Sequence, residues 1–340
     1  MSSRTVSLPD AEGLLEDLRE ILREEHPDGA RIEITGRQRN VYASTFGSEV
    51  VAVRLEDGSE LSLLCKYSAG REHDEHGHRG GVAYEADVYR NVLAPSPLSS
   101  PRFFGSRART GRSGDCLVVE YLDGCWRINR APVPDGIHAA ARWIGEFHSF
   151  HDGEPRRSGL SFLTRYDAAY YAGWAQRAVE FAAGDGENLS LLGAVRAGAE
   201  QWAGRLLAIE QTVIHGEYTM QNVLFRDGTI YPVDWESAAV APGVIDLIAL
   251  VDGWPEDIVD ECVELYQRAR WRDGPPVDLR ERLAAARLYW ALRWLGSEEV
   301  WSLERECSRD EKHRVLSEYY GEVREAARQL QLIRTETRDR

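Results

Sequence analysis

Residues Thr212–Glu236, TVIHGEYTMQNVLFRDGTIYPVDWE, bring imidazole, carboxylate and carboxamide side chains to close spacing. A His-Gly-Glu triplet, His215 to Glu217, is followed five residues after its Glu by Asn222 and then by the apolar run Val223-Leu224-Phe225. Asp227-Gly228 is a two-residue hairpin signal, and a second run, Ile230–Val233, ends in Asp234. The spacing predicts a loop that delivers Glu217 and Asn222 and a hairpin that lifts Asp234 to the same side. A carboxylate, a carboxamide oxygen and a second carboxylate suit Mg²⁺, which takes hard oxygen ligands and keeps waters and substrate phosphates. Read without that chemistry, the stretch is a surface hairpin with polar loop positions.

The elements that must position these residues are legible upstream and downstream. Leu14, Leu15, Leu18, Ile21 and Leu22 recur at helical spacing within Leu8–Pro27 and predict an amphipathic leading helix. Arg31–Thr35, Val41–Phe46, Glu49–Leu55 and Glu60–Tyr67 are short β-like runs separated by turns, which predicts an antiparallel sheet. Gly36–Asn40 lies between the first two runs, where a phosphate-covering loop would sit. It has one Gly rather than the G-x-G-x-x-G set, and a polar β-turn explains it equally well. Lys66 ends the apolar run Leu61–Cys65, and Ala83–Leu93 reads as a helix with Glu85 near its start. Only two of the 41 basic residues are Lys, so a chain that uses Arg almost everywhere keeps Lys66 in an apolar segment. A strand-end Lys can also simply reach solvent.

Arg102–Gly105 and Cys116–Tyr121 read as two further strands, after which composition turns helical. Helices are expected over Ile137–His151, Tyr166–Ala183, Leu189–Gln211, Asp257–Ala269, Leu279–Leu295 and Asp310–Ile333. The His73–His78 loop could ligate a metal, but its composition equally fits a solvated connection.

The ordered set H-G-E-x-x-x-x-N followed by V-D-W-E resembles the catalytic and metal-binding segments of the aminoglycoside phosphotransferase and choline kinase-like family, which usually carries His-Gly-Asp. The resemblance runs in order from Arg31 to Leu295 and is specific around Ile214–Glu236. It implies an α+β, two-lobed protein-kinase-like fold. Residues 1–121 would form a nucleotide-binding lobe, and residues 122–340 a helical lobe with the catalytic loop and acceptor pocket. It implies that Lys66, held by Glu85, binds the α/β-phosphates of ATP or GTP. Arg37, Arg39 and Asn40 would sit over the phosphates, and Glu120 and Leu122 would meet the adenine edge through their backbone. Asn222 and Asp234 would hold Mg²⁺, Glu217 would take the acceptor proton, and His215 would brace the loop. Asp246, in Pro242–Leu247, would order it. A Glu where the family has Asp adds about an ångström of reach, and a displacement of that size can cost about 100-fold in rate.

The expected activity is therefore an ATP-dependent O-kinase acting on an aminoglycoside, an amino sugar or another hydroxylated natural product. The alternative is a catalytically weak nucleotide-binding protein that serves as a regulatory or binding module. A protein-Ser/Thr kinase is disfavoured, since D-F-G and A-P-E elements are absent. Composition is consistent with this. A net charge of −15 disfavours nucleic acid and suits a cationic acceptor, although many acidic enzymes have none. The five scattered cysteines lack C-x-x-C spacing, and no apolar stretch is long enough to span a membrane. Both features predict a cytoplasmic monomer or homodimer without membrane attachment.

Overall fold

The structure, a computed structural model, describes residues 8–23, 31–40, 46–68, 80–108, 115–131, 134–153, 158–182, 185–297 and 309–333. The His73–His78 loop lies outside the described residues. The chain forms two compact units. The first is built from the described parts of Met1–Asp74, Arg79–Ala139 and Gln221–Ala238. The second is built from those of Ala140–Met220 and Ala239–Arg340.

In the first unit, β1 (Glu33–Arg39), β2 (Gly47–Arg54), β3 (Glu60–Tyr67), β4 (Phe103–Arg107) and β5 (Cys116–Glu120) form an antiparallel sheet in the order β1-β2-β3-β5-β4. Strand alternation gives each sheet face one set of side chains. Val51, Val53, Leu63, Cys65 and Tyr67 turn to one face, where helix α1 (Ala11–Leu22) buries Leu14, Leu18, Ile21 and Leu22 against them. Asp10 caps α1 by accepting from the Gly13 amide at 2.8 Å.

One expectation for this sheet is corrected. Gly36–Arg39 is strand rather than loop: β1 pairs with β2 from Glu33↔Arg54 to Arg39↔Glu49, with an irregularity between Ile34 and Gly36. Cross-strand chemistry explains the difference, because Arg37 donates from Nε and Nη2 to the buried Glu49 carboxylate, each at 2.7 Å. The connection to β2 is confined to residues after Asn40, of which Val41–Thr45 lie outside the described residues. Helix α2 (Val82–Val88) continues as a π-helical turn over Tyr89–Leu93. The hairpin β9 (Val223–Arg226) and β10 (Thr229–Pro232) completes the unit, with β6 (Trp126–Arg127) along β9. Asp227 and Gly228 have φ of 51° and 80°, the left-handed pair that such a tight turn needs.

The second unit has a small sheet of β7 (Thr164–Arg165), β11 (Ala239–Pro242) and β8 (Gln211–Ile214). Its helices are α3 (Asp135–Phe150, within the unit from Ala140), α4 (Ala168–Phe181), α5 (Gly186–Ala197), α6 (Ala199–Leu207), α7 (Val244–Val251), α8 (Glu256–Arg270), α9 (Leu279–Leu295) and α10 (Arg309–Gln329). The single helix expected over Leu189–Gln211 is two, broken at Gly198, which ends α5 and begins α6. Helix α9 is a core element, with Ala285, Leu288, Tyr289 and Leu292 fully buried.

Candidate active site

The first unit gathers the expected nucleotide and metal residues. Lys66 faces away from the α1 core, on the same side of β3 as Leu64, and its ammonium meets three carboxylates. It lies 2.7 Å from Glu85 and 3.4 Å from Glu236, and it makes a short contact with Asp234. Burial alone would depress Lys66; Asp234, Glu85 and Glu236 more than offset it and hold the ammonium well above the ordinary lysine range. Burial pushes the Glu85 carboxyl up, against the pull of Lys66. Glu85 also accepts from the Trp235 amide at 3.2 Å, so one helical carboxylate ties β3 to the segment after β10. Asp234 itself has a left-handed backbone, φ 69° and ψ 58°.

Lys66, Glu85, Asn222 and Asp234 line a cavity of about 530 Å³ whose walls also include the apolar Leu64, Leu117, Val119, Leu122 and Leu224 and the polar Ser48, Arg127, Arg130 and Gln221. That size, with apolar walls and convergent polar groups, is typical of small-molecule sites. Asn40 lines the cavity and donates from Nδ2 to Ser48 Oγ at 3.0 Å. Glu120 and Leu122 line it as well. Arg37 and Arg39 are not among the lining residues; Arg37 is engaged by Glu49 and by the Pro9 carbonyl at 2.9 Å. Glu85, Asp234 and Glu236 each bring a carboxylate oxygen within 4.8 Å of one another. With the Asn222 carboxamide on the same cavity wall, the donors are all hard oxygens, and this set fits magnesium. Glu236, unremarked as a single residue within V-D-W-E, is therefore part of the cluster.

The second unit holds His215 and Glu217. Asp246, in the first turn of α7, accepts from the His215 amide at 2.7 Å and from the Gly216 amide at 2.9 Å. His148 Nε2 lies 3.2 Å from the same carboxylate. His215 is fully buried, and its Nδ1 accepts from the Glu217 amide at 3.3 Å, so its ring supports the loop from within. The Glu217 carboxylate is bound by Arg293 on α9, whose Nη1 also donates to the Gly216 carbonyl at 2.8 Å. Burial alone would lower Arg293; Glu217 together with Tyr289, Tyr170 and Tyr166 outweighs it, and Arg293 stays firmly charged. Nothing in the local sequence marks Arg293, which lies 76 positions from Glu217.

No curated protein matches the chain in sequence. Among solved structures, a choline kinase from Cryptosporidium parvum Iowa II superposes with a TM-score of 0.63 at 14% identity, covering 95% of this chain and 98% of that one. A choline/ethanolamine kinase family protein from Mesorhizobium loti gives 0.56 at 15% identity, over 92% and 97%. The GDP complex of wild-type aminoglycoside 2'-phosphotransferase-IIIa gives 0.58 at 12% identity, over 90% and 96%. At such identities the likeness shows the fold. The family model described as the phosphotransferase enzyme family, APH, matches residues 43–285 and takes in β3, α2, the His215–Glu217 loop and the hairpin. With most of its length in that match and the kinase-like fold around it, the chain belongs to the phosphotransferase enzyme family and is an O-kinase.

Proposed function

We propose that the protein transfers the γ-phosphoryl group of ATP or GTP to a hydroxyl of an aminoglycoside, an amino sugar or another hydroxylated natural product, with magnesium. The observation that carries this reading is the Lys66 ammonium among Glu85, Asp234 and Glu236 at a cavity that joins apolar walls to polar groups. The apolar walls suit a nucleobase, with the backbone at Glu120 and Leu122 at their edge. Lys66, oriented by Glu85, binds the α/β-phosphates. Asn222 and Asp234 hold magnesium, with Glu236 beside them. Bound there, the ion supplies positive charge for the phosphate oxygens and for the charge that develops on transfer. Arg37 and Arg39 could reach phosphate only from outside the lining of the cavity, so Asn40 is the better candidate from β1 and its end.

In the transfer, the bond from the γ-phosphorus to the bridging oxygen breaks, and a bond to the acceptor oxygen forms. The nucleoside diphosphate leaves, and the acceptor proton passes to the Glu217 carboxylate late in the step. The protein supplies position and charge rather than covalent chemistry. Choline and aminoglycosides, the substrates named for the structural neighbours, are the first acceptors to try.

Asp234→Ala is the direct test. Magnesium-dependent turnover of ATP with a panel of aminoglycosides, amino sugars and choline is expected to fall by at least about 100-fold, since a ligand and a Lys66 partner are lost together. Full activity in that variant sinks the site assignment. A second reading, a nucleotide-binding module, draws support from Glu217, which departs from Asp and is engaged by an arginine. Binding of Mg·ATP without turnover for any acceptor would favour it.

A further inference from the structure

We propose that Arg293 is a positioning residue for Glu217, and that this pair is how a His-Gly-Glu loop holds its carboxylate in working geometry. The inference rests on the kinase reading above. A Glu has one more rotatable bond than an Asp, so an unrestrained Glu217 would spread its carboxylate over several rotamers and several positions. Rotamer freedom of that kind must be lost before a proton acceptor is in place.

Arg293 removes it. Near the end of α9, the planar guanidinium donates from Nη1 to the Gly216 carbonyl at 2.8 Å and from Nη2 to the Glu217 carboxylate. One rigid group thereby fixes the backbone of one residue and the side chain of the next, which a lysine cannot do with a single nitrogen. Both side chains are largely withdrawn from water, 12% and 15% exposed, so the attraction is weakly screened. The guanidinium is itself held: it lies over the Trp290 ring at 5.4 Å, and Trp290 Nε1 donates to Asp252 at 2.8 Å. Asp252 also accepts from the Tyr319 hydroxyl of α10 at 3.0 Å. The support of Glu217 thus runs Arg293–Trp290–Asp252–Tyr319, through two helices of the second unit.

The test uses the full-length protein, Mg·ATP, and whichever of kanamycin, glucosamine, choline or water the wild type uses as acceptor. Arg293→Met is expected to lower kcat by about 30-fold or more while the KM for Mg·ATP stays within about twofold. Arg293→Lys, which keeps the charge and loses the second bond, recovers only part of kcat. In a Glu217→Asp background the shorter side chain falls away from the guanidinium, and Arg293→Met then costs at most about threefold. An Arg293→Met enzyme with wild-type kcat, or equal losses in both backgrounds, overturns the inference and leaves the kinase reading intact. If Arg293→Met does not fold, Arg293→Lys decides: equal losses of kcat in the wild-type and Glu217→Asp backgrounds overturn it. No turnover by the wild type with any acceptor or with water overturns the kinase reading, and this inference with it.

Discussion

Asp234 occupies a left-handed backbone that costs an L-residue roughly 1–2 kcal/mol. The surrounding bonds that impose it are all made by neighbours: Glu85 takes the Trp235 amide, Trp235 Nε1 donates to the Pro232 carbonyl at 3.2 Å, and the Gly80 amide donates to the Glu236 carbonyl at 2.6 Å. Backbone strain of this kind clusters at active sites and ligand clamps. The conformation brings Asp234 and Glu236 to the same ammonium although they are two residues apart. Glu236 is almost fully buried, so its charge is felt at Lys66 and Asp234 with little screening. Glu236→Gln keeps the shape and removes that charge. It is expected to raise the magnesium concentration for half-maximal turnover by about tenfold, the usual effect of altering a group beside a metal ligand. A magnesium titration identical to wild type would make Glu236 a structural partner of Lys66 and nothing more.

At the scale of elements, the His215–Glu217 loop hangs on the start of α7. Asp246 takes two loop amides and faces His148 of α3, whose Nδ1 is 3.0 Å from the Tyr266 hydroxyl of α8. Gly243, ahead of α7, permits this approach: a Cβ there would lie 2.5 Å from His148 Nδ1 and 2.8 Å from the Tyr266 oxygen. Burial pushes the His148 pKa below its ordinary 6.5, against the pull of Asp246; Arg270 adds to the lowering and Asp152 opposes it. Because the folded value is depressed, the unfolded chain binds the proton first as pH falls below 6.5. The stability contributed by neutral His148 is present above that value and is lost on acidification until the folded state protonates too. Melting temperatures measured from pH 7.5 to 5 should therefore fall more in wild type than in His148→Gln. Equal slopes would place the acid sensitivity elsewhere. These elements were legible to different degrees, for physical reasons. Helix α9 matched its periodicity from Leu279 to Leu295 because a buried helix repeats apolar residues at a fixed spacing. The Asp227-Gly228 turn was legible because left-handed pairs demand those residues. The break at Gly198 was missed because apolar periodicity carries across one glycine, and strand β1 was missed through Arg37 because an arginine paired across strands looks like a loop residue. Arg293 could not be found at all, since its partner is set by packing and not by proximity in the chain.

At the scale of the molecule, the putting together of the first unit from distant segments is what the linear order conceals. Gln221–Ala238 joins Lys66 and Glu85 there, while Glu217, a few residues earlier, belongs to the second unit with Arg293 and Asp246. The short stretch that carries the recognisable motif is therefore divided between two cores, one with the proposed phosphate and metal groups and one with the proposed base. Among the described residues no helix is long and apolar enough to cross a membrane, and Cys65 and Cys125 are free thiols. The division makes a prediction about where a nucleotide is felt. A ligand that binds only the native first unit, at about 100 times its Kd, adds about 2.7 kcal/mol against unfolding of that unit. Local opening is suppressed where the ligand makes its contacts. Mg·ADP should therefore slow amide hydrogen exchange in β3, in the turn after Glu120 and over residues 221–238, with a smaller effect in α8 and α9. Magnesium alone should slow only 221–238, and Asp234→Ala should erase that part. Exchange in β3 and the hairpin that is the same with and without Mg·ADP would remove the nucleotide from this cavity, whatever the enzyme phosphorylates.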